Sequence, residues 1–429
     1  MLDQLHVLGG ARLEGSVRVS GAKNAALPIL MSTLLTAEPC VLHNVPDLED
    51  TSVTERLLRS LGADMRYENG TVRIQTKQIV SSEAPYRFVK ALRSSFWLLG
   101  PLIARHGSAR VSLPGGDAIG SRPVDLHLRG LVAMGADIRL RNGVVFGSAP
   151  GGLHPQTIRL DYQSVGATHQ LMMTAALVRG TTVIEGAACE PEVVELAEVL
   201  TRMGAHIEGA GTPRLEIQGR ESLGGMEYEI EGDRIEAATF LIAGAVTGGK
   251  VTARGIDREK LRGVIEVLEA TGCTVISAEN SVTLSAPERL RACSFATNPY
   301  PGVATDVQPL LMAALTRADG VSVVEETVFD NRFGHVAEFR RFGADIHLDG
   351  RTATIRGVPT LSGAPVESSD IRAGAGLVLM GLAADGVTEV GEVHHLDRGY
   401  EHFVDKLTGL GARISRVPLF EAKELTVGC

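Results

Sequence analysis

A phrase with a central glycine recurs six times along the chain and constrains its fold more than any other feature. The copies read LLRSLGADM, LVAMGADI, VLTRMGAHI, VLEATGCTV, FRRFGADI and LTGLGARI, and their glycines are Gly62, Gly135, Gly204, Gly272, Gly343 and Gly411. The spacing is about 70 residues, which is longer than in solenoid repeats but sufficient for a small folding unit. The sequence therefore predicts six units of similar structure.

The repeat predicts the same succession of elements in each unit. Each glycine is expected to end an amphipathic helix as a left-handed cap. The segment that follows, such as DMRYENGTVRI at 64–74, is typical of a hairpin with an Asn-Gly turn. A second recurring phrase is apolar on all sides, as in AALPILMSTLL at 25–35, and this pattern predicts a buried helix. We therefore expect an α/β fold in which every unit has a buried helix, a strand, an amphipathic helix and a hairpin.

Size and charge narrow the classes of protein. A chain of 429 residues is too long for one core and suggests two or three domains. Its net charge of -9 and pI of about 5.8 argue against nucleic acid or an anionic membrane as a partner, since both need a basic surface. Any anionic substrate must therefore meet a local cluster of cations.

Cysteine usage and hydropathy favour a cytoplasmic protein. The five cysteines are scattered, odd in number and without a CxxC pair, which argues against a disulfide framework and against a zinc site. The segment MLDQLHVLGG lacks the basic residues of a secretory signal, and no apolar run approaches the roughly 18 residues of a membrane helix. We expect neither export nor a membrane span.

Polar residues stand at the start of each expected buried helix. They are Lys23 with Asn24, Arg93, Ser164, Asp233 with Arg234, Asp306, and Asp370 with Arg372. Helix starts carry unpaired N–H groups and the positive end of the dipole, so they favour bound anions. Helix capping explains Ser164 and also fits Asp233 and Asp370. It does not explain Lys23, Arg93 or Arg372, because a cation at a helix start is unfavourable unless an anion is bound there. The pattern therefore predicts an anion-binding cleft lined by helix starts.

Residues 113–127, which read LPGGDAIGSRPVDLH, form a glycine-rich stretch after the second buried helix. Glycine frees φ while proline fixes it, so this composition is typical of a shaped loop that moves over a site. An ordinary surface connection between a strand and a helix has the same composition. The stretch carries one acid, Asp117, and one arginine, Arg122, which makes it a candidate lid.

Seven motifs spread over the chain resemble those of the UDP-N-acetylglucosamine enolpyruvyl transferase family. They are GAKNAALP at 21–28, RSSFWLLGPL at 93–102, LPGGDAIGSRPVDLH at 113–127, SVGAT at 164–168, TDVQ at 305–308, NRFGH at 331–335 and LDRGYE at 396–401. The resemblance implies two inside-out α/β barrel domains, each of three repeats with helices inside and sheets outside. It also implies that residues 1–22 and 231–429 form a discontinuous C-terminal-type domain, and that residues 23–230 form an N-terminal-type domain with the lid loop.

The resemblance implies a specific reaction. The enolpyruvyl group of phosphoenolpyruvate passes to the 3'-hydroxyl of UDP-N-acetylglucosamine and phosphate is released, as the first committed step of peptidoglycan synthesis. This addition and elimination requires no metal and no redox cofactor. Phosphoenolpyruvate is a small, highly charged anion, so its site needs several fixed cations, each charge pair contributing on the order of a few kcal/mol at an effective dielectric near 20.

The residues that meet this anion follow from the same resemblance. Lys23, Arg122 and Arg398 match the positions that hold the phosphate side, and Arg332 and Arg372 match positions near the carboxylate and the closed cleft. Arginine suits this task because its planar guanidinium binds phosphate or carboxylate through two hydrogen bonds.

The resemblance also assigns a base and a nucleotide-sugar site. Asp306 in the motif ATDVQ matches the general base for the sugar hydroxyl. With an ordinary pKa of about 4 it is a weak base, so its contribution depends on geometry. The positions that match nucleotide-sugar contacts are Asn24, Arg93, Arg122, Pro123, Val124, Asp125, Leu126, Ser164, Val165, Gly166 and Val328.

Two positions depart from the family pattern. Many members carry lysine where this chain has Tyr162, and most carry cysteine where it has Asp117. That cysteine is the usual candidate for protonating C3 of phosphoenolpyruvate, and the epoxide antibiotic fosfomycin alkylates it. An aspartic acid carries a proton if burial and neighbouring negative charge raise its pKa towards neutrality, and it is a far poorer target for alkylation. We therefore expect an active enzyme that fosfomycin does not inactivate covalently.

Three alternative functions fit the sequence less well. The sister enzyme that makes 5-enolpyruvylshikimate 3-phosphate shares the fold, but its helix-start phrase has a lysine-serine pair in place of Ala22-Lys23-Asn24. A catalytically idle paralogue that binds UDP-N-acetylglucosamine and regulates wall synthesis would have no need of the base Asp306. A metal hydrolase is disfavoured because the twelve histidines form no ligand-spaced cluster, and the neighbours His394 and His395 are expected to face different ways.

Overall fold

The structure is a computed structural model that describes residues 2–114 and 123–419. These ranges contain fourteen α-helices: α1 (Lys23–Ser32), α2 (Glu49–Ser60), α3 (Tyr86–Ala91), α4 (Leu99–His106), α5 (Asp125–Ala133), α6 (Val165–Ala176), α7 (Pro191–Arg202), α8 (Arg234–Val246), α9 (Arg262–Ala270), α10 (Gln308–Leu315), α11 (Val336–Arg341), α12 (Ile371–Ala383), α13 (His394–Asp397) and α14 (Phe403–Gly409). Short 3-10 helices lie at Thr33–Leu35, Arg93–Leu98 and Arg258–Leu261.

The same ranges contain 24 strands: β1 (Leu2–Leu8), β2 (Glu14–Arg18), β3 (Cys40–His43), β4 (Asp64–Glu68), β5 (Thr71–Gln75), β6 (Glu83–Ala84), β7 (Ser108–Ser112), β8 (Asp137–Arg141), β9 (Val144–Ser148), β10 (Thr157–Arg159), β11 (Gly180–Glu185), β12 (His206–Glu208), β13 (Arg214–Gly219), β14 (Glu227–Glu229), β15 (Lys250–Arg254), β16 (Thr274–Ala278), β17 (Ser281–Ser285), β18 (Phe295–Ala296), β19 (Val321–Glu325), β20 (Asp345–Asp349), β21 (Thr352–Arg356), β22 (Pro365–Glu367), β23 (Val387–Gly391) and β24 (Arg413–Leu419). They form six four-stranded sheets, with the orders β14-β3-β5-β4, β6-β7-β9-β8, β10-β11-β13-β12, β2-β15-β17-β16, β18-β19-β21-β20 and β22-β23-β1-β24.

The six repeat glycines end helices as the sequence predicts. All six have positive φ, between 89° and 113°. The N–H of Gly62 donates to the carbonyl of Arg59, and the N–H of Ala63 donates to that of Leu58, each at 3.1 Å. These bonds satisfy carbonyl groups at the end of α2, and the bond from the glycine recurs at the other five positions. The predicted helix ends are confirmed.

The hairpins follow from local turn chemistry. Asn69 and Gly70 join β4 to β5 with φ of 49° and 76°, the two positive values that a tight two-residue hairpin turn requires. Antiparallel pairs follow the amphipathic helix in the first five units. In the sixth unit β24 pairs with β1 from the other end of the chain, so the first residues complete the last sheet.

The apolar segments form buried helices with the sheets outside them. Helices α8, α10 and α12 pack against one another, and α6 packs against both α4 and the 3-10 helix Arg93–Leu98. The second apolar segment is not one continuous helix as expected, because its 3-10 helix passes into α4 at Leu99. Pro101, which lacks an N–H, falls in the first turn of α4, where no intrahelical partner is lost. The α/β architecture itself is confirmed.

The chain crosses between two groups of sheets in two places. Strand β2 precedes α1 but pairs with β15, which follows α8. Strand β14 precedes α8 but pairs with β3, which follows α1. Between them the two segments meet, since Ala22 N–H donates to the Glu231 carbonyl and Asp233 N–H donates to the Ser20 carbonyl, both at 2.8 Å.

Buried side chains fall into two main clusters on either side of these crossings. One cluster draws its residues from 22–230, and the other from 5–19 and 235–412. The division into residues 1–22 with 231–429 and residues 23–230 stays a prediction.

We expect the crossing to tolerate no side chain at Gly21. A Cβ there would overlap the carbonyl oxygen of Asn44, whereas one at Gly409, near the end of α14, would meet nothing within 4 Å. Gly21→Ala should therefore lower the free energy of unfolding by at least about 1–3 kcal/mol, because the obstacle is backbone and not a flexible side chain. Gly409→Ala should be neutral or slightly stabilising. Equal urea or thermal unfolding midpoints for the two variants would contradict this reading of the crossing.

Candidate active site

One carboxylate joins the starts of two buried helices from different cores. Oδ1 of Asp233 accepts hydrogen bonds from the N–H groups of Ile235 at 2.7 Å and Glu236 at 3.0 Å, which caps α8. Its Oδ2 accepts from the N–H of Lys23, the first residue of α1, at 3.2 Å. The capping interpretation of Asp233 is correct, and the same side chain also brings the two helix starts together.

A second carboxylate, Asp50 in the first turn of α2, lies between two of the expected phosphate ligands. Its Oδ2 is 3.4 Å from Nζ of Lys23, and its Oδ1 is 2.9 Å from Nε of Arg398. Lys23 begins α1, whose apolar residues belong to the first core, and Arg398 follows α13, whose Leu396 belongs to the second. The structure therefore brings these two cations together across the cores.

Asp306 does not cap a helix, because α10 begins two residues later at Gln308. Its Oδ2 instead accepts from Nε and Nη2 of Arg372, at 3.2 and 3.1 Å. Burial raises the pKa of Asp306, but Arg372, Arg332 and Lys23 outweigh that effect and hold the pKa well below its usual range. The group is therefore a carboxylate at any working pH.

Arg332 and Asp370 form a further ion pair beside it. Nη1 of Arg332 is 3.2 Å from Oδ1 of Asp370, and that oxygen also accepts from the N–H groups of Arg372 and Ala373 to cap α12. Burial raises the pKa of Asp370, whereas Arg332 and the cap bonds lower it to a value below its usual range. The expected cap is confirmed, and it lies directly against one of the expected carboxylate ligands.

The candidate nucleotide-sugar positions fall at helix starts. Asn24 is the second residue of α1, and Arg93 opens its 3-10 helix. Ser164 caps α6 through its side chain, which accepts from Ala167 N–H at 3.3 Å. Pro123 to Leu126 enter α5, and a Cβ on Gly166 would lie 3.2 Å from the ring of His127 on that helix. The segments at 123–126 and 164–166 are therefore neighbours.

Val328 lies apart from these on the second core. Its N–H donates to Oε1 of Glu326 at 2.9 Å, while Oε2 of Glu326 accepts from the hydroxyl of Thr305 at 3.0 Å. The buried side chain of Glu326 therefore holds the turn with Val328 close to Thr305, which precedes Asp306.

Three positions bear on the departures from the family pattern. Asp117 and Arg122, with most of the expected lid, lie outside the described residues. Tyr162 is described, and its side chain is half-exposed. Burial and Asp125 raise the pKa of Tyr162, whereas Arg129 and Arg93 oppose them.

Sequence reasoning missed three buried polar residues of the site: Asp50, Glu326 and His127. Asp50 reads as an ordinary acid in a first helical turn, and Glu326 as a strand-end residue. His127 stands inside a quoted motif, contacts Gln170 by a short hydrogen bond and has a pKa lowered by burial to about 4, so it is neutral. No signal in a single sequence distinguishes the two acids from their exposed neighbours.

The histidine expectation needs a correction. The rings of His394 and His395 are 4.1 Å apart and only 34° from parallel, so they do not face different ways. The α13 turn puts both side chains on one side, and their ligand atoms lie within 4.8 Å of one another and of Glu392. Within residues 2–114 and 123–419, no helix has the length and apolar character needed to cross a membrane.

The chain has six α/β units around two groups of buried helices, and cations and carboxylates lie at the helix starts. These are features of an enolpyruvyl transferase. A family model described as EPSP synthase (3-phosphoshikimate 1-carboxyvinyltransferase) matches residues 7–407. The chain therefore belongs to this family of carboxyvinyl transferases, and it is a transferase enzyme.

Relatives with a named activity match this chain over nearly its whole length. UDP-N-acetylglucosamine 1-carboxyvinyltransferase from Geobacter metallireducens is 49% identical over 416 residues, which cover 97% of this chain and 100% of that protein. The protein of the same name from Geotalea uraniireducens has the same identity and coverage.

Solved structures show the same fold. The enolpyruvyl transferase NikO from Streptomyces tendae superposes with a TM-score of 0.88 at 30% identity, over 98% of this chain and 100% of that one. EPSP synthase from Acinetobacter baumannii superposes with a TM-score of 0.77 at 20% identity, over 97% of this chain and 100% of that one.

Glu236 predicts a pH dependence of stability. Burial raises its pKa to about 7 although Lys406 lies 2.6 Å away and lowers it. The protonated form is favoured in the folded protein, so its contribution is fully present below the ordinary pKa of 4.5 and is lost as the pH rises through about 7. Glu236→Gln should remove up to about 3 kcal/mol of this decline between pH 5 and 8.

Thermal unfolding across that pH range measures the effect. Glu221→Gln is the matched control, since its side chain is exposed and pairs only with the exposed Arg179 among the described residues. If Glu236→Gln and wild type decline in parallel, the assignment of the titration to Glu236 is wrong.

Proposed function

We propose that this chain transfers the enolpyruvyl group of phosphoenolpyruvate to the 3'-hydroxyl of UDP-N-acetylglucosamine and releases phosphate. The observation that carries the proposal is the 49% identity, over nearly the whole length of both chains, to relatives named for the corresponding transfer. The reaction would be the first committed step of peptidoglycan synthesis, in the cytoplasm, and would serve cell-wall biogenesis, cell shape and cell division.

Lys23 and Arg398, with Arg122, hold the phosphate group in this proposal. Support comes from the position of Lys23 and Arg398, which approach the same carboxylate from different cores. Such a pair is complete only when the proposed domains, residues 1–22 with 231–429 and residues 23–230, lie against each other. Binding of the phosphate and closure of the cleft are thereby coupled.

Arg332 and Arg372 hold the substrate carboxylate. Nε and Nη2 of Arg372 bind Asp306, and its buried Nη1 makes no hydrogen bond of standard geometry among the described residues, although the Tyr400 ring centroid lies 5.3 Å from the guanidinium carbon. A buried guanidinium N–H without a partner is costly unless a ligand accepts from it. The substrate carboxylate is an acceptor of suitable charge and shape.

Asp306 is the general base. The chemistry runs by protonation of C3, development of positive charge at C2, addition of the sugar hydroxyl as Asp306 accepts its proton, and loss of phosphate as C3 is deprotonated. Both guanidinium bonds end on Oδ2, so Oδ1 is not one of the atoms that Arg372 binds. The Asp306 side chain is 30% exposed, so a ligand in the cleft can reach it.

The nucleotide sugar occupies the first core's helix starts. Asn24, Arg93, residues 122–126 and residues 164–166 surround it, and Val328 approaches from the second core. The close packing of Gly166 against Trp97 and His127 supports this arrangement, because a side chain at 166 would displace both rings.

The two other functions are less well supported. The family model is described as EPSP synthase, but the solved EPSP synthases are only 20% and 19% identical and support the fold alone. An idle regulatory paralogue has no use for a carboxylate held ionised by three cations, which is what Asp306 provides.

Phosphate release from phosphoenolpyruvate should depend on UDP-N-acetylglucosamine. Asp306→Asn should lower kcat by about 10²- to 10⁴-fold because the amide cannot accept the hydroxyl proton. Asp345→Asn, an exposed acid on β20 of the same core, should leave kcat unchanged. Release that requires shikimate 3-phosphate instead would show the sister activity, and binding of the nucleotide sugar without turnover would show the regulatory paralogue.

Asp117 carries the proton that a cysteine carries in most relatives, in this proposal. Asp117→Asn should therefore abolish or strongly slow turnover, whereas Asp117→Cys should keep activity and make the enzyme sensitive to fosfomycin. The wild type should show no time-dependent loss of activity with low micromolar fosfomycin. Covalent inactivation of the wild type, or full activity of Asp117→Asn, would refute this role.

A further inference from the structure

Asp50 is a buried carboxylate to which neither the resemblance nor the relatives assign a role. Its side chain is only 4% exposed, and its two oxygens bind cations from different cores: Oδ1 binds Nε of Arg398 at 2.9 Å, and Oδ2 approaches Nζ of Lys23 at 3.4 Å. Its backbone carbonyl is also engaged, by the hydroxyl of Thr54 at 2.9 Å. Both side-chain oxygens and the backbone carbonyl of Asp50 therefore have partners.

Helix stability alone does not account for this arrangement. An acid in the first turn of α2 interacts favourably with the helix dipole, and Glu49 already supplies one there. The side chain of Glu49 is 56% exposed and pairs with Arg56 on its own helix. Burial of a second charge in the same turn is costly unless it is paired, and the partners of Asp50 are the two cations that the proposed function assigns to phosphate.

The carboxylate also resembles the group that those cations bind. Carboxylate and phosphate oxygens both accept charge-assisted hydrogen bonds from ammonium and guanidinium groups. Lys23 and Arg398 are 375 positions apart in sequence, and each would repel the other in the absence of an anion. An internal anion between them keeps both in place before any ligand arrives.

We propose that Asp50 is a positioning residue that sets Lys23 and Arg398 for the substrate phosphate and competes with phosphate for the same two cations. This inference rests on the function proposed above. The competition limits the affinity of the site for the phosphate group and so promotes release of inorganic phosphate after transfer. Asp50 itself forms no bond to the substrate.

The binding of inorganic phosphate to the full-length protein tests this role directly. Asp50→Asn removes one negative charge beside two cations and should bind phosphate at least about threefold more tightly by isothermal titration calorimetry. Its kcat should fall at least tenfold because the cations are no longer aligned, while KM for phosphoenolpyruvate stays the same or falls. Glu49→Gln removes the same charge from the same helix turn without touching either cation, and should match wild type in all three quantities.

Two more variants separate charge from packing. Asp50→Glu keeps the charge and should retain phosphate affinity close to that of wild type with partly restored kcat. Asp50→Ser leaves room for water and serves where Asp50→Asn is too unstable, as judged by thermal unfolding. If a folded Asp50→Asn or Asp50→Ser variant binds phosphate no more tightly than wild type, the proposed competition is refuted.

The phosphate titration is independent of the acceptor sugar. Failure of wild type to use UDP-N-acetylglucosamine would therefore overturn the proposed function while the titration still reported on Asp50. Conversely, a UDP-N-acetylglucosamine-dependent enzyme whose Asp50 variants bind phosphate like wild type would keep the function and lose the inference.

Discussion

The arrangement of the cleft depends on the hydrogen bonds that the carboxylate of Asp233 accepts from two helix starts. Two buried helices, α1 and α8, point their starts at the same place, and helix starts carry partial positive charge. Two such ends repel unless an anion lies between them, and Asp233 supplies it by accepting from the N–H groups of both helices. The backbone bonds between residues 20–22 and 231–233 hold the same point from the other side, so both crossings of the chain end at the candidate site.

Around this joint the charges are balanced in pairs. Lys23 and Arg398 share Asp50, Arg372 binds Asp306, and Arg332 binds Asp370. Ionised groups leave water at a high free-energy cost, so cations gathered for a substrate are stable in the free protein only with internal counter-ions. A ligand anion then replaces or joins an existing partner, and the donors need little reorganisation. The acids are therefore as necessary to an anion site as the cations.

The sequence predicts the features that local chemistry determines and misses those that depend on distant pairing. Gly62 and its equivalents are identifiable because this type of helix end needs a residue in the left-handed conformation, which glycine adopts readily. Asn69-Gly70 is identifiable because the hairpin turn requires two positive φ values. Asp50 is not identifiable, because its partner Arg398 lies 348 residues away and its own neighbours read as an ordinary helix start. The contacts of Asp306 are not identifiable from the sequence either, because its partner Arg372 lies 66 residues away.

The low pKa of Asp306 constrains when the sugar hydroxyl can lose its proton. Three cations hold this group ionised, which makes it available as an acceptor at every working pH but a poor base towards an unactivated hydroxyl. The hydroxyl becomes acidic only as its oxygen bonds to the cation-like C2 of the proposed reaction. Proton transfer must then follow carbon–oxygen bond formation, and the same arginine that weakens the base holds its carboxylate where the proton is released. Asp306 is therefore a weak base held in a fixed position. A rigid cleft with paired charges favours this kind of catalysis by positioning.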